Sequence, residues 1–142
     1  MPIAQTLTTS FKVGLLTASF NFNAGTYRMA LYTATANIGA STTGYTASGE
    51  ITGTGYTAGG TIITVTTAPT STGTTAFFGF SDATWTGASF VARGALIYLD
   101  NGTTNPSIAV LDFGADKVAT PSVPFVVAMP APTATSALIR LP

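Results

Sequence analysis

Between residues 26 and 141 the apolar side chains recur mostly at every second position, a period that fits a pleated strand rather than a helix. Tyr27, Met29 and Leu31 are expected on one face of such a strand, with Arg28, Ala30 and Tyr32 on the other. Thr61 to Thr67 (TIITVTT) is almost wholly β-branched, which suits a pleated surface and disfavours helix. Thr75 to Ser81 (TAFFGFS) and Phe90 to Leu99 (FVARGALIYL) read as two further strands, each with an internal glycine that marks a bulge or a close backbone approach. Asn101-Gly102 has the residues of a type I′ hairpin turn, in a loop that extends toward Pro106. The returning strand is Ser107 to Phe113 (SIAVLDF), and Gly114 to Lys117 is expected to turn the chain again. Pro124 to Met129 and Ala134 to Leu141 complete the set, with Pro121, Pro124, Pro130 and Pro132 confining parts of this region to edges or loops.

These segments predict an all-β chain, an antiparallel β-sandwich or jelly-roll-like barrel of about seven or eight strands. A Gly-, Ala-, Ser- and Thr-rich loop is expected over residues 35–49. One short helix is expected over residues 10–18, with Ser10 as N-cap and Phe11, Leu15 and Ala18 at helical spacing, although Gly14 weakens it. The 142 residues suit a single domain, 1–142, large enough to bury its core without a disulfide or metal. Residues 1–22 read as an N-terminal arm and helix that pack on the sandwich or on a neighbour. Phe20 and Phe22 are assigned to the core and Met1 to Ser10 to a partner contact, so removing Met1 to Thr9 is expected to spare the fold.

Charge decides which functions are plausible. Only 7% of the residues are charged and the net charge is +0, against roughly 25% charged in an ordinary soluble domain. A surface so neutral on a chain that is 46% hydrophobic is expected to be covered in part by neighbouring subunits. Lys12, Arg28, Arg93, Lys117 and Arg140 are scattered singly, so no nucleic-acid partner is expected. No secretory leader is expected, and no apolar stretch reaches the roughly 18 residues of a membrane helix.

Chemistry-bearing residues are scarce. The chain has no Cys and no His, which removes thiol chemistry, the commonest metal ligands and the commonest general base. The carboxylates are Glu50, Asp82, Asp100, Asp112 and Asp116, and a glycosidase would need two of them flanking one sugar bond. Asp112 and Asp116 near one expected turn are too few for calcium, which takes six to eight oxygens. Gly53 to Ala58 (GTGYTA) has the form of a dinucleotide fingerprint, but a β-branched strand follows it where a helix is required. Asp112-Phe113-Gly114 lacks every other part of a kinase site, and the Asn101-Gly102-Thr103 sequon matters only in a secreted eukaryotic protein. The expectation is no enzyme, no cofactor and no metal. Phe11, Tyr45, Tyr56 and Trp85 are the candidate interface anchors, because aromatic residues dominate binding hot spots. For Trp85 core filling is the competing role.

Four blocks together cover most of the chain: FKVGLLTASFNF from Phe11, YRMALYTATANIGASTTGYTASGEITGTGYTAGG from Tyr27, ATWTGASFVARGALIYLDNG from Ala83, and AVLDFGADK from Ala109. They resemble a family of small accessory virion proteins of tailed bacteriophages. The resemblance implies a structural role in the virion, foremost as a capsid decoration or cement protein stabilising the head. A tail, fibre or head–tail connector subunit is the alternative. A carbohydrate-binding β-sandwich for host recognition is a third reading. The expected partners are further copies of the chain, as dimer or trimer, and the major capsid protein or other virion proteins.

Overall fold

The alternating runs become strands, and the computed structural model describes residues 3–142. In chain order the elements are β1 (Thr6–Leu7), α1 (Thr9–Leu16), β2 (Tyr27–Tyr32), β3 (Thr61–Ile63), β4 (Val65–Thr72), β5 (Thr75–Phe80), β6 (Ala83–Trp85), β7 (Phe90–Leu99), β8 (Ser107–Ala119), β9 (Phe125–Val127) and β10 (Ile139–Leu141). Strands make up 47% of the chain, the sheets are antiparallel and no barrel closes, so the architecture is sandwich-like and all-β. A five-stranded sheet runs β1-β8-β7-β2-β3, a second sheet runs β10-β5-β4, and β6 pairs with β9.

The period of two sorts side chains between two apolar clusters on opposite faces of the five-stranded sheet. Tyr27, Met29 and Leu31 enter the main core with Ala95, Ile97 and Ile108. Phe22, Phe78 and Phe80 from the facing side join them there, with Phe22 and Phe78 stacked at 4.0 Å between centroids. Ala30 and Tyr32 point the other way and meet Leu96, Tyr98 and Val110 in a second cluster. That face is closed by the segment 33–60, which contains no named strand, through Ala36, Ile38 and Tyr45, and by Ile3.

The run 61–67 forms two strands rather than one. The chain leaves the five-stranded sheet after Ile63 and enters the second sheet at Val65. Thr64 is the corner, held by N–H donation to Ser81 Oγ at 3.0 Å and by the Ser81 N–H to Thr64 O at 2.7 Å.

Three local expectations are corrected. The helix starts earlier than residue 10, and Ser10 is not its cap. Thr8 has the extended backbone of an N-cap and its Oγ1 accepts the Phe11 N–H at 3.2 Å, whereas Ser10 Oγ donates to Thr43 O. Gly114 to Lys117 is not a turn, because β8 continues through it. Asp112 pairs with Gly94 but Lys117 pairs with Ala92, so the extra residues form a bulge around Gly114, whose φ is 78°. The Asn101-Gly102 pair does not make a type I′ turn, which needs positive φ at both residues. Gly102 and Asn105 have positive φ instead, and Asn101 Oδ1 accepts the N–H groups of Thr103 and Asn105 within a longer loop.

The N-terminal residues belong to the fold. Ile3 is buried and bridges to Ile38, β1 pairs with β8 through Thr6↔Val110 and Leu7↔Ala109, and Thr8 is fully buried. From Ile3 onward the arm packs on its own sandwich, one of the two expected placements, and Met1 and Pro2 of the expected partner contact lie outside the described residues.

Candidate functional site

The densest group of chemically capable side chains surrounds Glu50, the single glutamate of the sequence. Backbone bonds bring it to the end of β2: the Thr33 N–H donates to Gly49 O at 2.9 Å and the Ile51 N–H to Leu31 O at 3.0 Å, with Tyr32 bridged to Glu50. Gly60 permits the return path. Its φ is 81°, and a Cβ there would overlap the Met29 carbonyl oxygen, so only glycine lets the chain lie this close to β2.

Glu50 Oε1 accepts the Tyr56 hydroxyl at 2.6 Å and the Gly59 N–H at 2.7 Å, and Oε2 accepts the Tyr45 hydroxyl at 2.6 Å. The Tyr56 oxygen also accepts the Leu31 N–H at 2.9 Å. Tyr98 donates to Gly59 O at 2.6 Å and Tyr32 donates to Thr46 O at 2.7 Å. Tyr45 stacks on Tyr98 with centroids 5.1 Å apart.

The electrostatics keep all four phenols protonated. Burial pushes each hydroxyl above its ordinary value of 10.0, Tyr98 to about 12. Donation to Glu50 raises Tyr45 and Tyr56 further, since the neutral phenol is the donor, and the Glu50 charge adds to the rise at Tyr32. A protonated phenol is a poor nucleophile and a poor base, and the carboxylate is already occupied by three donors. The arrangement is chemically a fastening.

Three other carboxylates are also engaged. Asp100 accepts Arg28 Nε at 2.7 Å, Asp112 accepts Arg93 Nε at 3.2 Å, and Asp82 accepts the Met129 N–H at 2.7 Å. The Gly114 N–H and the Arg93 guanidinium hold the Asp112 carboxyl below its usual range, despite an opposing effect of desolvation. Among the described residues, no group of three or more acidic side chains is placed to hold a metal ion. Gly53 to Ala58 lies in the covering segment, with no helix after it to receive a phosphate.

The four anchors expected from sequence are packing residues within this chain. Phe11 is fully buried, and Trp85 is 5% exposed, set edge-on to Phe90 and Phe125. Phe11 and Trp85 thus offer almost no surface to a partner, because the sandwich needs their volume in its core. Tyr45 and Tyr56 are partly buried with their hydroxyls committed to Glu50. The exposed apolar side chains lie elsewhere. Val91 and Val118 are cross-strand partners at 46% and 67% exposure. Val118 and Val126 line a groove of about 450 Å³ with Phe113 and Phe125. Val13 and Leu16 stand out from α1. A larger groove, about 810 Å³, lies between α1, residues 40–43 and the 99–106 loop, and no charged side chain lines it.

Sequence reasoning missed Glu50 and these valines. The glutamate stood alone in a glycine-rich loop, and its only signal was the flanking pair of tyrosines. Valines in strands read as core. No protein family, curated protein or solved structure matches this chain.

Proposed function

We propose that this chain is a non-enzymatic structural subunit of a tailed-phage virion, foremost a capsid decoration or cement protein that binds the shell as a dimer or trimer. The observation that carries the non-enzymatic part is the use made of the carboxylates. Glu50, Asp82, Asp100 and Asp112 are all hydrogen-bonded or ion-paired to the chain's own groups. The tyrosines beside Glu50 are held in the protonated form. An assembly role is supported by a surface poor in charge that leaves Val91, Val118, Val123 and Val126 exposed. Exposed apolar side chains in proximity favour contact with other protein. The virion assignment is supported by the sequence resemblance.

The test is the copy number of the chain in purified virions by quantified gel or mass spectrometry. Hundreds of copies per particle support decoration. A few dozen or fewer move the chain to the tail or connector, and absence from particles overturns the virion reading.

A second reading, glycan binding, is favoured by the uncharged groove beside α1. Thr9, Ser10, Thr17, Ser41, Thr43 and Asn101 put hydroxyl and amide groups on its walls, with Phe20 as an aromatic surface. Neutral polar groups beside an apolar wall suit a polyhydroxylated ligand. A glycan array probed with the whole chain tests it; absence of any hit removes this reading.

A further inference from the structure

We propose that residues 33–49 form a lid that opens independently of the sandwich, with Glu50 as its latch. The inference is independent of the virion role. It rests on how the two carboxylate oxygens are divided.

Oε1 faces the base. Its donors, Tyr56 and the Gly59 N–H, belong to a stretch tied into the main core. Ile51 is 3% exposed within that core, and Tyr56 packs on Trp85 and Phe90 with centroids 6.2 and 5.9 Å away. Oε2 faces the lid, where its donor is Tyr45. Glu50 therefore joins a fixed stretch to one that contributes nothing to the main core.

The lid covers a separate cluster. Beneath it lie Ala30, Tyr32, Leu96, Tyr98 and Val110, on the sheet face opposite the main core. Ala36 and Ile38 are its buried apolar contributions, with Tyr45 partly buried against them. It contains no strand and is held to the sandwich by scattered backbone bonds, including Ala4 N–H to Ile38 O, Thr9 N–H to Ala40 O and Tyr45 N–H to Asn105 O. A segment with few buried apolar contacts and no ladder opens at lower free energy than the sheet beneath it. The charge-assisted Tyr45 bond is the tie made to Glu50 that such opening must break, beside the bonds of Ser107 Oγ to Thr42 O, the Ser107 N–H to Thr43 O and the Tyr32 hydroxyl to Thr46 O.

Native-state hydrogen exchange tests the lid in two ways. In the unaltered protein under rising sub-denaturing urea, the amides of Ala4, Thr9 and Tyr45, each bonded across the lid boundary, are expected to exchange faster than those of Ile97 and Ile51. Their urea dependence should be clear but smaller than that of Ile97, because the opening exposes the cluster under the lid while the main core stays packed. In Tyr45→Phe, which keeps the ring stacked on Tyr98, the three lid amides should speed by about tenfold, while those of Ile97 and Ile51 stay unchanged. The proposal is overturned if lid and strand amides share one rate and one urea slope in the unaltered protein. It is equally overturned if Tyr45→Phe leaves the lid amides unchanged or speeds all of them by the same factor.

Discussion

Ser107 Oγ lies 3.0 Å from Thr8 Oγ1, joining residues 99 apart in sequence at a point where both side chains are fully buried. Ser107 Oγ is also 2.6 Å from Thr42 O, so its one proton is shared between two acceptors. Thr8 Oγ1 caps α1 by accepting the Phe11 N–H and donates to Ser107 O at 3.2 Å. One small polar cluster thus fixes the helix start, the first residue of β8 and the loop at residue 42.

Thr8→Ala and Ser107→Ala should each lower the stability by about 1–3 kcal/mol, because each strands a buried polar group. The double variant should cost less than the sum of the singles by about 1 kcal/mol. A urea-denaturation cycle measures this, and strict additivity would show that the hydroxyls do not act together.

The sheets were legible in the sequence where alternation was unbroken. At Tyr27 to Tyr32 the period of two assigned both faces correctly, since each face meets an apolar cluster of its own. It failed where one run serves two sheets, as at Thr64, and where a bulge imitates a turn, as at Gly114, because both depend on partners far away in sequence. The Glu50 cluster was not legible. Its geometry requires Tyr98 from β7 and the Leu31 N–H from β2 to meet a loop that has no period at all.

Close backbone approach can be separated from backbone conformation. Gly60 and Gly73 both have positive φ, but a Cβ at Gly60 would run into the Met29 carbonyl, whereas nothing lies within 4 Å of one at Gly73. Gly60→Ala should therefore cost more than about 3 kcal/mol, from clash and strain together. Gly73→Ala should cost about 1–2 kcal/mol, from conformation alone. Equal losses in urea denaturation would show that the contact with β2 is not limiting.

The tyrosines predict alkaline behaviour. In the unfolded chain they lose protons near 10.0, while in the fold Tyr32, Tyr45, Tyr56 and Tyr98 are all raised above that value. A raised folded value means that this contribution to stability is fully present below about pH 10. It is lost as pH climbs toward the folded values, because the unfolded chain releases protons that the fold retains. The buried Tyr32 alone should remove about 1.4 kcal/mol per pH unit in that window. Tyrosinate absorbance should rise together with loss of the circular dichroism signal. Ordinary titration of these residues in a still-folded protein would contradict the hydrogen-bonded network.

The N-terminal residues offer the sharpest contrast between what the sequence led one to expect and what the fold requires. A loose arm could be cut away at no cost, yet Ile3 is 6% exposed, β1 pairs with β8, and Thr8 is the helix cap. Losing the burial of Ile3 costs about 2 kcal/mol and losing the cap about 1 kcal/mol. The unpaired edge of β8 adds to this. Removing Met1 to Thr8 should therefore cost about 3–5 kcal/mol, a large share of the roughly 5–15 kcal/mol that stabilises a domain. Ile3→Ala alone should reproduce about half of that loss. The check is thermal melting of the trimmed chain beside Ile3→Ala and the unaltered protein. A trimmed chain that melts within a degree or two of the full one would mean that the contacts of Ile3 and Thr8 contribute little to the fold.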